Sequence, residues 1–263
     1  MTDFRLVRPA TVDEAVAALA DGAIPYAGGT ELIATMQLGL LQPPALADLK
    51  PVPELRGVTA RDGEIVIGAT TTHREIAASE QVRRHAALLA RAAAVLGNLR
   101  VRATGTIAGN ACFAEPRSDV LTALAALDAQ VTLRSVSGQR VVPVTSFVTG
   151  AFTTVRDETE LLVSVHCPHS VQPGSYARFQ PAEYPTVAVA VTILPDGRCR
   201  TVVGAVGGSP QVFDTESPAA VDAEAIAASV EVTEDLNGAE DYKRHLTEVF
   251  VRRAVAGLRR DGE

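Results

Sequence analysis

Two short glycine segments, Ala27-Gly28-Gly29-Thr30-Glu31-Leu32 and Gly105-Thr106-Ile107-Ala108-Gly109-Asn110, constrain this chain more than any other feature. Glycine admits backbone conformations closed to other residues and lets another group approach the main chain closely. Each segment follows a stretch able to run extended, and each exposes backbone N–H groups with little side-chain bulk in front of them. Successive N–H groups of that kind form a concavity for anions, above all phosphates. Singly, either segment reads equally well as a tight turn, because glycine pairs punctuate chains everywhere. Neither has the spacing of the Gly-x-Gly-x-x-Gly dinucleotide fingerprint. Together they could clamp one dinucleotide diphosphate from two sides.

At 263 residues and 47% hydrophobic composition, the chain can bury at least one full core. A formal net charge of −7 gives no electrostatic footprint for nucleic acid or an anionic membrane. Its apolar runs are too short and interrupted to span a bilayer, and Met1 to Arg5 lacks the layout of a secretory signal. The three cysteines, Cys112, Cys167 and Cys199, are widely spaced and odd in number, so they form neither a disulfide framework nor a CxxC metal or cluster site. A cytoplasmic location is expected. No metal ligand set is expected either: His166 and His169 bracket Cys167, but no third and fourth ligand is readable.

Along the chain, residues 4–7 read as a strand and Thr11 with Glu14 as a capping box opening a helix through Leu19. Strands follow at 24–27 and 46–49, then the punctuation Pro51-Val52-Pro53 and a boundary near residue 57. A strand at 65–69, a second capping box from Thr72 to Glu75 and one long helix over 81–96 come next. Ser118-Asp119 starts a helix with Val120, Leu121, Leu124 and Leu127 on one face. Hairpins are expected around Ser137-Gly138 and around Pro195-Asp196-Gly197, with a strand at 161–167 between them. An acidic, alanine-rich stretch at 216–240 leads into a final helix from Glu240 to Leu258.

Tyr26 to Leu32 resembles the AGGTDL loop of the FAD-binding domain of molybdenum hydroxylases, the flavin module of xanthine dehydrogenases and of the medium subunit of aerobic carbon monoxide dehydrogenase. Ile67-Gly68-Ala69-Thr70-Thr71-Thr72-His73 is similar to that family's IGALTTH segment, and Arg100 to Asp119 to its second glycine signature. Asp235 to Leu246 resembles a segment of its C-terminal domain, and Gly207-Gly208-Ser209-Pro210 stands at a family turn. The four motifs fall in the family's order over nearly the whole chain. The resemblance implies an α+β architecture: a two-subdomain FAD-binding fold of the PCMH/vanillyl-alcohol-oxidase type over 1–57 and 58–172, then a C-terminal α+β domain over 173–263.

Carried over, Ala27, Gly28, Gly29, Thr30, Glu31 and Leu32 would bind the FAD pyrophosphate, while Thr106, Gly109 and Asn110 would clamp its other side and approach the ribityl chain. Phe113 and Leu162 would lie close to the flavin, and Asp119 matches an acid that binds a flavin-side hydroxyl; read by itself, Asp119 is equally a helix-start carboxylate. The chain departs from the family at Ala108, at Phe113-Ala114-Glu115-Pro116, and at Arg178 to Pro185, where Gln180 replaces a frequent lysine and no cation cluster is evident. Reduced flavin is expected to lack the usual cationic support there.

The family role is electron transfer from iron–sulfur and molybdopterin subunits through FAD to NAD, oxygen or a quinone, with a small-molecule substrate and self-association left open. The altered surroundings motivate an alternative, a stand-alone FAD-dependent oxidoreductase in which Glu115, Glu183 and Tyr184 transfer protons. A scaffold protein that has lost its cofactor is the third reading.

Overall fold

Local signals at the chain's start set its first layer. Thr11 is extended, and its hydroxyl accepts from the Glu14 N–H at 3.2 Å to open helix Val12–Ala20. The Glu14 carboxylate reaches one residue further back than a capping box requires, accepting from the N–H of Ala10 at 2.7 Å. In the computed structural model, which describes residues 3–169 and 173–258, Ala15, Val16 and Leu19 of this helix are buried. The helix packs between two sheets. The first is parallel and three-stranded, in the order Arg5–Val7, Ala45–Asp48, Ile24–Tyr26. The second is antiparallel and five-stranded, in the order Val58–Arg61, Glu64–Gly68, Leu161–Pro168, Gln130–Ser135, Gly138–Pro143.

Thr72 and Glu75 form the full reciprocal capping box that opens helix His73–Ala78. The single helix expected over 81–96 is instead two, Glu80–His85 and Ala87–Val95. Ala86 breaks it, with φ −144° and ψ 50°. The break gives each half its own direction. Val82 of the first half is buried where that half meets strands Val58–Arg61 and Glu64–Gly68, while Leu89, Ala92 and Ala93 are buried in the second half, which meets helices His73–Ala78 and Asp119–Ala126. One straight helix could not bury both apolar sets, and the sequence periodicity alone does not show the change of axis.

Ser118 caps helix Asp119–Ala126, whose residues are all buried. A helix with no exposed face must be covered on every side. This one lies between helix Ala87–Val95 and the last sheet, an antiparallel four-stranded meander of Gly174–Phe179, Val187–Ile193, Cys199–Gly204 and Gln211–Thr215. Helix Glu240–Leu258 crosses the other face of that meander and covers a second apolar cluster containing Val189, Val203, Phe250 and Val251. Asp222 opens a helix, Ala223–Ser229, inside the stretch the sequence left unassigned.

The expected boundary at 172–173 abuts residues 170–172, which lie outside the described residues. Among the described residues, no helix is long and apolar enough to cross a membrane.

Candidate functional site

Strand Ile24–Tyr26 delivers the first glycine segment to the rim of a cavity of about 530 Å³. Ala27, Gly28, Gly29, Thr30, Glu31 and Leu32 all line it. Among the described residues, none of the backbone N–H groups from Gly28 to Leu32 donates to a protein acceptor. The Gly29 carbonyl accepts from the Ile33 N–H at 3.0 Å, so the N–H groups of Thr30, Glu31 and Leu32 are those that the start of helix Leu32–Gln37 leaves open, with that of Gly28 beside them. Ligand or water must complete them. Gly29 adopts φ +73°, and a Cβ there would stand 2.6 Å from the Tyr26 ring. These are the features of an anion-binding nest.

The second segment is built otherwise. It is preceded by helix Leu99–Thr104 rather than an extended stretch, and from Ile107 it is itself helical, to Phe113. Thr106 caps that helix by accepting from Gly109 N–H at 3.2 Å, and the Asn110 N–H donates to the Thr106 carbonyl at 2.9 Å. The amides of Gly109 and Asn110 are therefore engaged within the protein. Thr106, Gly109 and Asn110 still line the cavity, and Asn110 turns its Oδ1 to the Ser118 hydroxyl at 2.7 Å. The Asn110 side-chain amide Nδ2 and the Thr106 N–H are left without a protein acceptor among the described residues. Two features invisible to local reading thus replace the expected second row of amide donors.

The remaining singled-out residues also converge here. Phe113, Glu115, Asp119, Leu162, Gln180, Glu183 and Tyr184 line the same cavity. Leu162 is buried beside a register shift in its strand, and Phe113 meets Phe152 edge-on with ring centroids 5.2 Å apart. Gln180 donates to the Glu183 carbonyl at 2.7 Å, which fixes the turn. Glu115 is held by Arg117, whose Nε lies 2.7 Å away, and the Arg117 guanidinium covers the Tyr184 ring at 4.0 Å.

Asp119 has two protein partners that the sequence alone does not show. Its Oδ1 accepts from the Tyr176 hydroxyl and its Oδ2 from Arg178 at 2.8 Å. Burial raises its pKa, against the lowering by those two donors. The carboxylate pins helix Asp119–Ala126 to strand Gly174–Phe179 from the cavity's edge.

Sequence reading missed other wall residues. Arg117 and Arg156 bring guanidinium groups to the cavity from outside the 178–185 stretch, whose own Arg178 is held by Asp119. Both are engaged: Arg117 with Glu115, Arg156 with the carbonyls of Asp157, Glu158 and Glu160. Glu31 has a raised pKa, from burial first and then from the charges of Glu115 and Glu183. His73 is also on the wall, only 2% exposed, its pKa lowered to about 4 by burial. Burial pushes the Cys112 thiol up to about 11, which keeps it unreactive.

Away from the cavity, Ser164, His166 and Glu64 line up in hydrogen-bonded series at 2.9 and 3.0 Å, with Thr132 also on the imidazole. The three strands that carry them are adjacent, and none of the four lines the cavity, so the group serves as a cross-strand bond. No group of three or more His, Cys, Asp or Glu placed for a metal occurs among the described residues.

Residues 2–170 match the family model described as the FAD binding domain in molybdopterin dehydrogenase. The chain belongs to that family. This FAD-binding family member is 30% identical over 274 residues to the carbon monoxide dehydrogenase medium chain of Hydrogenophaga pseudoflava, an alignment covering 96% of each chain. Its fold superposes on reconstituted CO dehydrogenase of Oligotropha carboxidovorans with TM-score 0.92 at 26% identity, covering 99% of both chains. Quinoline 2-oxidoreductase of Pseudomonas putida 86 matches at TM-score 0.89 and 25% identity over 98% of both. The run of unpaired amides, with glycines where a Cβ would collide with Thr104 or the Tyr26 ring, fits the diphosphate of the family's FAD.

Proposed function

We propose that this chain is the FAD-carrying subunit of a molybdenum hydroxylase complex, taking electrons that originate at a molybdopterin subunit from iron–sulfur clusters on a partner and delivering them to an external acceptor. The observation that carries the reading is the unpaired amide run from Gly28 to Leu32 on the cavity wall. Its support is the end-to-end similarity to a carbon monoxide dehydrogenase medium chain.

FAD, when bound, supplies a ring system that accepts and releases electrons, so no acid–base residue of the chain is required for the transfer itself. The chain's part is to hold and shield. In this reading the amides of Gly28 to Leu32 bind the diphosphate, and Thr106, Gly109 and the Asn110 side chain close the opposite wall towards the ribityl chain. Leu162 and Phe113 give an apolar lining that excludes water from the flavin. Gln180, Glu183 and Tyr184, steadied by Arg117 and Glu115, form the mouth through which a small-molecule acceptor or NAD would approach. Asp119 keeps the wall in register at the cavity's edge, where it can also meet a ligand hydroxyl.

The finer architecture we read as the PCMH/vanillyl-alcohol-oxidase type, with subdomains 1–57 and 58–172 and the C-terminal domain 173–263, working in the cytoplasm. Purification after addition of FAD tests the reading. A yellow chain with flavin absorption that co-purifies with iron–sulfur and molybdopterin subunits is expected. A colourless chain despite excess FAD defeats it, and turnover of a small molecule by the flavin-loaded chain alone would favour a stand-alone oxidoreductase.

A further inference from the structure

We propose that His73 is a binding residue for the diphosphate of FAD, donating from a neutral Nε2–H to a phosphate oxygen. This rests on FAD occupying the cavity. His73 opens helix His73–Ala78, and its backbone N–H donates to the Gly105 carbonyl at 3.1 Å, which locks the residue to the start of the second glycine segment. The side chain forms part of the cavity wall.

The tautomer follows from what the ring atoms meet. Nδ1 is sealed from solvent and has no hydrogen-bond partner among the described residues. Nδ1 is therefore an orphan in either tautomer, at a similar desolvation cost as donor or as acceptor, and the choice falls to what Nε2 can meet. Burial holds the imidazole neutral at neutral pH, so it carries a single N–H. Nε2 also has no protein partner among the described residues but is not sealed, so it is the nitrogen a ligand can reach, and an anion there selects the tautomer with the proton on Nε2. The ring thus presents an N–H donor where a cavity ligand can take it.

The neighbours say which part of the ligand that is. A Cβ on Gly105 would lie 3.2 Å from His73 Cδ2 and 3.5 Å from Nε2. Gly105 Cα also stands 2.9 Å from the position a Cβ on Gly28 would occupy. Gly105 thus stands next to both the imidazole and the first residue of the unpaired amide run. A donor next to a run of amide donors completes an anion site. A neutral donor suits it better than a buried cation, because it needs no counter-charge when the site is empty.

The test compares His73→Leu, which removes the donor, with His73→Gln, whose amide nitrogen can stand near the Nε2 position, using FAD, ADP and adenosine as probes. We expect His73→Leu to weaken FAD and ADP binding by about 10- to 100-fold, the range of a hydrogen bond to a charged group. His73→Gln should recover most of that loss, and adenosine affinity should not change. In the unsubstituted protein, imidazole nitrogen NMR should show Nε2 protonated in the ADP complex, with its resonance moving on addition of ADP. Equal ADP affinity in a folded His73→Leu protein, equal losses for ADP and adenosine, or a proton on Nδ1 in that complex overturns the proposal. If the parent chain binds neither FAD nor ADP, the FAD reading itself fails.

Discussion

Gly28 approaches Thr104 so closely that a Cβ on Gly28 would come to 2.2 Å from the Thr104 carbonyl oxygen. The two glycine segments therefore touch through their backbones, and the close approach that glycine permits serves protein–protein contact as well as a ligand. Gly28→Ala should force the segments apart, lowering stability by about 1–3 kcal/mol as overpacking does and weakening FAD binding strongly. Gly197→Ala is the control: Gly197 has φ +87° with open space around it, so only backbone strain of about 1–2 kcal/mol is expected. Thermal melts with FAD titration separate the two. Unchanged FAD affinity in Gly28→Ala would mean that this contact does not shape the site.

Asp119 is 2% exposed and accepts from both Tyr176 and Arg178. Asp119→Leu leaves Arg178 without its carboxylate partner in a largely buried setting, where breaking a pair costs about 3–5 kcal/mol. Tyr176→Phe removes one hydrogen bond and should cost about 1–2 kcal/mol. Denaturant unfolding of both variants checks the order. A smaller loss for Asp119→Leu than for Tyr176→Phe would show that the carboxylate is not the pin between helix Asp119–Ala126 and the last sheet.

The titration of His73 has a definite sign. Its folded pKa is lowered from 6.5 to about 4 by burial, so the unfolded chain binds a proton at a higher pH than the native protein does. Its stabilising contribution is complete above pH 6.5 and is lost as pH falls from there to about 4, by up to about 3 kcal/mol in all. In the FAD-free protein, His73→Gln should flatten that part of the stability–pH curve while leaving the curve above pH 7 parallel to the parent's. An unchanged slope between pH 4 and 6.5 would place the acid sensitivity elsewhere.

Lys243 is 1% exposed, with its Nζ 2.7 Å from the Thr233 carbonyl and 2.9 Å from Asp235 Oδ1. It ties the tight turn at 235–238 to helix Glu240–Leu258. Lys243→Met keeps the bulk but removes the donors, and should cost about 1.5–3 kcal/mol by removing charge-assisted hydrogen bonds to Thr233 and Asp235. Faster amide exchange confined to residues 233–238, with FAD affinity kept, is the expected signature. Protection equal to the parent's would remove Lys243 from that role.

Glu31 sits in the amide run with its acidity weakened by burial and by the charges of Glu115 and Glu183. A carboxylate there opposes an incoming diphosphate. Glu31→Gln should tighten FAD binding a few-fold, and the gain should shrink at high salt because charges near a surface are screened. Binding titrations at two salt concentrations check it; weaker binding in the variant would mean that Glu31 supports the ligand.

Much of this was written locally. Thr72 with Glu75, and Ser118, mark helix starts that depend on bonds within three residues, and the Pro195-Asp196-Gly197 turn joins strands paired as its sequence suggests. The glycine segments and their order along the chain pointed to the cofactor and the family. What local pattern could not show was how the donors are shared out. The second segment looks like the first until Thr106 caps a helix and takes the amide of Gly109.

By itself, then, the sequence determined the helix starts, the turns and the two glycine segments, because capping, turns and glycine freedom act over a few positions. Tertiary structure decided what each residue does at the cavity. Asp119 meets partners 57 and 59 positions away, His73 is buried against Gly105, and helix 81–96 breaks at Ala86 to bury two faces in two directions. Burial and long-range pairing set charge and free donors, and neither exists until the chain has closed on itself.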